Sequence, residues 1–491
     1  MGVAEHINWA DAACWNGTAF DGGWSTRLAA SQDVVEPATG QPLWRTGVAS
    51  GADMSAAIGR AHAAQAAWAA TPPRDRAALL LKAAALFEQH FDELALMIAR
   101  ETGGIIPKGQ HEVREAVVLC RLAAALPMQA QGQVLPSTPG RLSIARRVPH
   151  GVVGVISPFN FPLILSLRSV APALALGNAV VLKPDVRTPA SGGFIIARVF
   201  QEAGLPAGVL QVLPGNAEAG EALVIDPKVP MIAFTGSPGV GRRIGELAGK
   251  HLKKVSLELG GANNLIVLED ADLDAAASAA AFGAWFHQGQ ICMASNRVLV
   301  HASIADGLKA RLVGKATHLP VGDGASGQVA LGPLIDQKQL SHFDAVVQDT
   351  VKQGATLEAG GTHEGLCYKP TVLSGVKPGM RSFDEEPFGP VVNLVTFGSD
   401  DEAVALANTS QGGLAAAVIS RDVGRAMAIG ERLNAGMVHI NDQTVNDDCT
   451  NPFGGPGLGG NGSAVGGPAD IDEYTRWQWW TVKAALPQYP F

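Results

Sequence analysis

The chain has 491 residues, of which 47% are hydrophobic and 17% are charged, a composition typical of an ordinary globular protein. This length is too great for one hydrophobic core, so we expect two or three domains. The net charge of −8 argues against nucleic acid and anionic membranes as partners, because both bind basic patches.

The five cysteines are scattered along the chain and include no CxxC pair. This pattern favours free thiols in a reducing compartment over a disulfide framework or a zinc site. Residues 1–6 lack the basic and apolar regions of a secretory signal. The most apolar stretch, residues 170–182, is short and is interrupted by proline, glycine and asparagine, so no membrane span is expected. We therefore expect a cytoplasmic protein.

Helices are predicted in the early part of the chain, where apolar residues recur at helical spacing between charges. They cover residues 52–70, 73–101 and 108–124. Strands and helices then alternate, which indicates βαβ units and a mostly parallel, doubly wound sheet. The strands are predicted at residues 151–157, 179–183, 209–213, 231–235 and 254–259, and the helices at 163–176, 190–202 and 240–249.

A second α/β region follows, with strands at 297–301, 391–397, 415–420 and 436–441 and helices at 271–286, 305–315, 340–353, 400–408 and 423–433. The glycine-rich stretch 451–467 is either a linker or a loop held against a site. The aromatic end, residues 477–491, would be a liability if it were exposed. We expect it to pack on a partner subunit or to form an edge strand.

Two residues have the chemistry for covalent attack on a carbonyl group. Cys292 lies in the run GQICMA, and Glu258 lies earlier in the run LELGG. A thiolate can attack the carbonyl carbon, and a carboxylate can later activate water. Alone, Cys292 would more often be a buried structural thiol, and Glu258 between apolar residues is either paired or functional. His287 is a poor candidate for a Cys–His dyad, because no Asn or Asp that could orient it is evident.

Three segments that follow predicted strands could bind a phosphate or an oxyanion. The run TGSPGVG at residues 235–241 opens a helix, whose N-terminus attracts anions, but it matches neither a Rossmann fingerprint nor a P-loop. A plain turn is an equal alternative there. Lys183 ends a strand, where it could meet ribose, phosphate or only solvent. In PFNFP at 158–162, the Asn160 amide could donate to an oxyanion or could cap the next helix.

Taken together, these segments resemble the aldehyde dehydrogenase superfamily over nearly the whole chain. The shared motifs are PFNFP, the strand ending in Lys183-Pro184, FTGS, LELGG, GQIC, EEPFGPV at 385–391 and PFGG at 452–455. The resemblance implies an α/β fold with two doubly wound domains and a small bridging element. It assigns residues 1–127 and 150–258 to NAD(P) binding and 259–456 to catalysis. Residues 128–149 and 469–491 would form the oligomerisation element of a homodimer or homotetramer.

The resemblance also implies a role for each motif residue. Cys292 would form a thiohemiacetal and then a thioester, Asn160 would hold the oxyanion, and Glu258 would activate the hydrolytic water. Lys183 would contact the adenosine ribose and Ser237 the pyrophosphate. No metal is implied. The cofactor site implied by the family pattern comprises Ser157, Phe159, Lys183, Gly236, Ser237, Glu386 and Phe388.

One position departs from the pattern of many NAD-preferring members, which carry Glu three residues after this lysine. Here Val186 occupies that place, which removes a contact to the ribose 2′-hydroxyl and a repulsion against a 2′-phosphate. Arg187 is close by and could pair with such a phosphate. We therefore expect that NADP is tolerated as well as NAD.

The positions that line the family's substrate pocket are largely aromatic here, which favours a flat apolar aldehyde. The runs that begin at Arg168, His287 and Gly436 look most like those of benzaldehyde dehydrogenases. Arg168 could form an internal ion pair or could bind a polar ring substituent. The predicted pocket consists of Phe161, Leu165, Arg168, Trp285, Phe286, Ile291, Met293 and Phe453.

Other functions are kept as alternatives. A semialdehyde substrate, with Arg168 on its distal carboxylate, is the second dehydrogenase interpretation. A CoA-acylating enzyme is disfavoured, because the hydrolytic Glu258 is present in its motif. Intact Cys292, Glu258 and Asn160 argue against a non-catalytic structural homologue. A cysteine hydrolase would not need a cofactor loop.

Overall fold

The computed structural model describes residues 8–28, 30–409 and 412–491. Residues 1–7, in which no secretory signal is predicted, lie outside the described residues. The helix α1 begins after Ser50, whose side chain and the carboxylate of Asp53 form a capping box. The N-terminal elements are β1 (Ala19–Phe20), β2 (Trp24–Ser25), β3 (Ala30–Val35), β4 (Pro42–Val48), α1 (Gly51–Ala70), α2 (Pro73–Gln89), α3 (Phe91–Thr102) and α4 (Ile106–Ala125).

The single helix predicted over residues 73–101 is in fact two helices, α2 and α3, which meet at His90. His90 has φ −101° and ψ 21°, outside the helical region. Its ring stacks on Trp9 with the centroids 4.0 Å apart. The apolar periodicity continues across this junction, so the break depends on a tertiary contact that the local pattern does not show.

The first large sheet has the strand order β11-β10-β7-β8-β9-β1-β2, and its five strands from β11 to β9 are parallel. The central strands β7, β8 and β10 are mainly apolar and are buried along almost their whole length, as expected where helices cover both faces. From β7 the chain adds β8 and β9 on one side of the sheet, and it then crosses over to add β10 and β11 on the other side of β7. The boundary between β7 and β10 is therefore the topological switch point. The elements are β5 (Gly132–Val134), β6 (Arg141–Pro149), β7 (Val152–Ile156), α5 (Pro162–Ala175), β8 (Ala179–Lys183), α6 (Ile195–Ala203), β9 (Leu210–Val212), α7 (Ala217–Ile225), β10 (Met231–Thr235), α8 (Pro238–Lys250) and β11 (Lys254–Glu258).

The second large sheet has the order β14-β17-β18-β13-β12-β19-β20 and is parallel except for β14. Among the described residues, no helix is long and apolar enough to cross a membrane. The elements are β12 (Asn264–Val267), α9 (Leu273–Trp285), β13 (Arg297–His301), α10 (Ala305–His318), α11 (Gln337–Lys352), β14 (Thr356–Ala359), β15 (His363–Glu364), β16 (Cys367–Tyr368), β17 (Thr371–Ser374), α12 (Arg381–Asp384), β18 (Val391–Phe397), α13 (Asp400–Ala407), β19 (Gly413–Ile419), α14 (Val423–Gly430), β20 (Ala435–Ile440), α15 (Ala469–Glu473) and β21 (Thr475–Lys483).

The aromatic C-terminal segment forms an edge strand, as one of the two predictions for it states. β21 pairs antiparallel with β6 along nine residues and completes the small sheet β21-β6-β5. Trp477 and Trp479 on this edge are 50% and 65% exposed. The domain boundaries proposed from the sequence stay a prediction.

One apolar cluster connects the two halves of the molecule. It runs from α2, α4 and α5 to Ile291, Met293 and Phe453, which belong to the segment after β11. The loops at the carboxyl ends of the first sheet are therefore packed directly against the loop that carries Cys292, and the candidate site lies where they meet.

Candidate active site

A cavity of about 750 Å³ opens at the switch point of the first sheet, beside the carboxyl ends of β7 and β10. This is the place where doubly wound sheets bind ligands. Loops after β7, β8 and β10 form one wall, and the segments before β13 and β18 contribute to the other. All the predicted catalytic and cofactor residues line this cavity: Cys292, Glu258, Asn160, Ser157, Phe159, Lys183, Gly236, Ser237, Glu386 and Phe388.

Cys292 lies in the loop between α9 and β13, and side chains hold the backbone of this loop around the thiol. The Asn263 amide donates to the carbonyl of Cys292 at 2.7 Å, and the Thr444 hydroxyl donates to that of Met293 at 2.5 Å. Burial, followed by nearby carboxylates, raises the pKa of the Cys292 thiol, while Arg168 acts in the opposite direction. The thiol is therefore protonated in this state and must lose its proton before it can attack.

Asn160 lies in the turn between β7 and α5, and its amide joins this turn to the cysteine loop. Nδ2 donates to the carbonyl of Gln290 at 2.8 Å. The amide group carries two hydrogens, so one remains for an oxygen atom in the cavity. The capping alternative for Asn160 is wrong, because the N-cap of α5 is Phe161 and no side chain of that cap bonds to the helix.

Glu258 is the last residue of β11 and is only 4% exposed. Within the described residues, neither of its carboxylate oxygens has a hydrogen-bond partner. Burial raises the pKa of this carboxyl well above its usual range, against the opposing charge of Arg168. A buried carboxyl that is unpaired beside a cavity is typical of a group that exchanges a proton during a reaction.

The glycine-rich stretch 451–467 is a loop held against Glu258 and not a linker. Glu258 forms an isolated β-bridge with Gly460, and the N–H of Leu259 donates to the carbonyl of Gly459 at 3.0 Å. A Cβ atom on Gly454 would lie 3.3 Å from Glu258 Oε1. The same Cβ would lie only 2.3 Å from the carbonyl oxygen of Ser463, so glycine at 454 lets this loop pack closely against its own backbone beside the carboxyl group.

Phosphate and ribose could be bound by donors along the first-sheet wall of the cavity. Lys183 Nζ donates to the carbonyls of Gly215 at 2.8 Å and Pro184 at 3.5 Å, which leaves one hydrogen for a ligand. Ser237 precedes α8 without capping it, so its hydroxyl and the helix N-terminus are available to an anion. These groups fit the diphosphate and ribose of a nicotinamide dinucleotide.

The opposite wall supplies a carboxylate and aromatic rings. Burial raises the pKa of Glu386 to about 8. A Cβ on Gly260 would lie only 2.3 Å from Glu386 Oε1, so a larger residue at 260 would push this carboxyl out of its present position. Phe388 has φ +51° and meets Phe159 edge-on, with the ring centroids 5.9 Å apart. A carboxyl and a ring in this position fit a ribose and a nicotinamide.

Arg187, which we expected to be able to pair with a 2′-phosphate, is already held by two carboxylates. Its guanidinium donates to Asp185 at 2.8 and 2.9 Å and to Asp336 at 2.8 Å. It also lies 4.0 Å from the centre of the Phe159 ring. A phosphate would have to compete with both carboxylates for this charge. Val186 does line the cavity.

Most of the predicted substrate residues lie together. Ile291, Met293 and Phe453 belong to one buried cluster, against which Phe161 and Phe286 pack. Leu165 lines the cavity. Trp285 does not join them, because it is buried in the separate core beneath α9 and the second sheet. Neighbouring residues at a helix end point in different directions, so Trp285 and Phe286 separate.

Arg168 forms an internal ion pair, one of the two roles expected for it. Its Nη2 donates to both oxygens of Asp447 at 2.7 and 2.8 Å, and its guanidinium lies 4.6 Å from the Phe453 ring centre. The distal carboxylate of a semialdehyde would have to displace Asp447. Nε and Nη1 are buried and have no partner among the described residues, and Arg168 itself does not line the cavity.

Sequence reasoning missed residues whose role depends on distant contacts. Asp447 lies 279 positions from its partner Arg168, and Asn263 holds the cysteine loop from outside any motif we used.

His287 is buried with neither ring nitrogen bonded to a described residue, so it forms no dyad with Cys292. In the described part of the chain, no group of three or more His, Cys, Asp or Glu side chains could hold a metal ion.

Comparison with known proteins places this site in a family. The model described as "Aldehyde dehydrogenase family" matches residues 24–480. The chain is 52% identical to a vanillin dehydrogenase of Amycolatopsis sp., covering 99% of this chain and 100% of that protein. It is 48% identical to the benzaldehyde dehydrogenase (NAD(+)) of Pseudomonas putida, with coverages of 97% and 98%. A salicylaldehyde dehydrogenase from Pseudomonas putida G7, solved with salicylaldehyde, is similar at a TM-score of 0.92 and 35% identity, covering 96% of this chain and 99% of that chain.

Proposed function

The chain belongs to the aldehyde dehydrogenase family, and on that premise we propose that it oxidises an aromatic aldehyde to the carboxylic acid with NAD or NADP. The substrate would be benzaldehyde or a ring-substituted benzaldehyde. The observation that carries this proposal is the convergence of Cys292, Asn160 and Glu258 on one cavity, next to a buried apolar cluster that contains Phe453 and packs against Phe161 and Phe286. The names of the similar proteins support an aromatic substrate.

The first half-reaction is the attack of Cys292 on the aldehyde. The thiol gives up its proton to water, and sulfur bonds to the carbonyl carbon as the C=O π bond opens, which gives a thiohemiacetal whose oxygen carries the negative charge. The second N–H of Asn160 donates to the oxygen as negative charge develops there, in buried surroundings that strengthen such a bond. When bound, nicotinamide supplies the two-electron acceptor. Loss of the former aldehyde hydrogen as hydride to that acceptor would re-form the C=O bond and leave a thioester on Cys292.

The second half-reaction is hydrolysis of this thioester. Glu258, once ionised, takes a proton from water, and no competing partner among the described residues holds its carboxylate. Water adds to the carbonyl carbon, and Asn160 again stabilises the charge on oxygen. Collapse of this intermediate breaks the carbon–sulfur bond, releases the acid and returns the Cys292 thiolate.

The aromatic residues at the predicted substrate positions support a preference for flat apolar aldehydes. Phe161 and Phe286 lie with ring centroids 6.4 Å apart, and Phe453 packs into the same cluster. Rings of this kind bind an aromatic substrate by burial and by offset or edge-on stacking. Nε and Nη1 of Arg168, which have no partner among the described residues, are the donors that we propose for a polar ring substituent.

The proposal is tested by the absorbance of the reduced cofactor, with benzaldehyde as substrate and succinic semialdehyde in a parallel series. We expect turnover of benzaldehyde by the wild type and none by Cys292→Ala. Cys367→Ala is the matched control, since this free thiol lies outside the cavity. Turnover of succinic semialdehyde without turnover of benzaldehyde would refute the aromatic assignment.

We also propose that NADP is tolerated. The support is Val186, which leaves no carboxylate at that point of the cavity wall to repel a 2′-phosphate. Since Arg187 is engaged by Asp185 and Asp336, this lost repulsion, and not a new ion pair, is the reason. Parallel assays with NAD+ and NADP+ test it, and undetectable NADP+ turnover beside good NAD+ turnover would contradict it.

A homodimer or homotetramer is proposed from the small sheet β21-β6-β5. Its outer strand carries exposed aromatic residues, among them Trp477 and Trp479, and an apolar edge of this kind needs a cover. Light scattering after size exclusion should give a mass of two or four chains, and Trp479→Lys should lower it. A monomeric wild type would contradict the proposal.

The cytoplasm stays the proposed compartment, since all five cysteines are free.

A further inference from the structure

A buried ion pair lies behind the turn that carries Asn160. Lys108 and Glu112 are one helical turn apart on α4, both are fully buried, and Nζ lies 2.5 Å from Oε1. Neither residue lines the cavity. A buried ion pair contributes little net stability, because the loss of hydration offsets the attraction. The role of this ion pair must therefore come from the groups that it contacts, and not from the stability that it adds.

Glu112 holds the first turn of α5. Its Oε2 accepts hydrogen bonds from the N–H groups of Leu163 at 3.0 Å and Ile164 at 3.3 Å. The helix has no cap of its own, since Phe161 at the N-cap has no side-chain oxygen and Pro162 has no N–H. A carboxylate from α4 takes the place of that cap, and the helix dipole favours its negative charge there.

The same cluster holds Phe161, the residue next to Asn160. Lys108 Nζ lies 4.6 Å from the centre of the Phe161 ring. From another side the ring of His287 meets Phe161 nearly edge-on, with the centroids 5.3 Å apart. His287 begins the left-handed stretch that leads to the cysteine loop, with φ +48°. The cluster thus contacts both segments that must be aligned for the reaction.

We propose that Glu112, with Lys108 as its counter-ion, is a positioning residue that fixes the start of α5 and so aims the Asn160 amide at the substrate oxygen. This inference rests on the proposed aldehyde oxidation. One Asn160 hydrogen is committed to the Gln290 carbonyl at 2.8 Å. A shift of the turn must therefore weaken either that bond or the bond to the oxyanion.

The test compares variants of two buried carboxylates that both cap helical segments. Glu112→Gln keeps an acceptor for the backbone but removes the charge, and Lys108→Met/Glu112→Gln removes both charges in case the single variant folds poorly. Glu101→Gln is the matched control. Glu101 is also fully buried and accepts from the N–H groups of Ala190 at 3.1 Å and Ser191 at 2.7 Å, in a segment without a catalytic residue.

We expect kcat for benzaldehyde to fall about tenfold in both Glu112 variants, as for a misplaced catalytic donor, with little change in KM. Alkylation of Cys292 by iodoacetamide should keep its wild-type rate, because that reaction forms no oxyanion. Glu101→Gln should keep its kcat. The positioning role is overturned if the Glu112 variants keep wild-type kcat, or if alkylation slows in parallel with turnover. A wild type that is inactive on all aldehydes refutes the proposed function itself.

Discussion

Replacing Glu258 by Gln separates the two half-reactions that we propose. The carboxyl group is buried and bonded to no described residue, so an amide of nearly the same shape fits without breaking a hydrogen bond. Cys292 and Asn160 stay in place, and the attack on the aldehyde continues. The proton acceptor for hydrolysis is lost, so the thioester accumulates.

The size of the effect follows from the neighbours of Glu258. Two acidic groups whose charges act on Glu258 are engaged, since Glu473 binds Lys254 at 3.2 Å and Asp447 binds Arg168 at 2.7 Å. Glu386 lines the same cavity, but burial raises its pKa to about 8, so at neutral pH it is mostly protonated and is a poor replacement for the lost base. General bases contribute about 10² to 10⁴ in rate, and without a substitute we expect hydrolysis to slow about 10³-fold. This corresponds to about 4 kcal/mol in the barrier.

Stopped-flow absorbance should show one reduced cofactor formed per active site, followed by a slow steady state. In the wild type, hydrolysis should become faster as pH rises through the raised pKa of Glu258, because only the ionised carboxylate accepts a proton. Glu258→Gln should lack this dependence. Glu473→Gln serves as the control and should show no burst. A Glu258→Gln variant with a wild-type steady-state rate would refute the reasoning, and so would a variant with no burst because acylation has slowed equally.

Three further changes test the rest of the site. Asn160→Ala should lower kcat about 10²- to 10³-fold while the Kd for NAD+, followed by fluorescence, stays unchanged; a parallel loss of cofactor binding would point to a structural role. Val186→Glu should raise the KM for NADP+ and leave the KM for NAD+ unchanged. An unchanged ratio of these two KM values would contradict the role that we propose for Val186. Glu386→Gln should raise Tm relative to the wild type at pH 9 but not at pH 4, as thermal unfolding can show. The folded-state pKa of Glu386 is raised by burial from about 4.5 to about 8, so the wild type loses stability as pH rises through that window. If the wild type and Glu386→Gln had the same Tm at both pH values, a raised pKa of Glu386 in the folded state would be contradicted.

Predicted and observed elements agree best where strands are buried in parallel sheets. The strands at 179–183, 231–235, 297–301 and 391–397 have the predicted bounds. Such strands are continuous apolar runs bounded by turn residues, so a local pattern is enough to find them. The helix α7 and the strand β12 were missed, and the break at His90 was not visible, because packing against distant segments decides them.

In the candidate site too, local sequence patterns predict some features, and packing between distant segments decides the others. Motifs that follow strand ends name the residues of the cavity, because the carboxyl ends of neighbouring parallel strands meet at one edge of a sheet. Those motifs do not say which charges are paired. Arg187 is bound to Asp185 and Asp336, and Arg168 to Asp447, through contacts that no local spacing encodes.

The amino-acid sequence by itself determined the family, the two doubly wound sheets and the thiol, amide and carboxyl that converge on the cavity. Only the tertiary structure decided that Glu258 is left without a described partner and that Glu112 caps a helix from another element. A residue type and its spacing along the chain set local backbone structure. The hydration and partners of a buried charge depend on every segment packed around it, and these come together only in the folded chain.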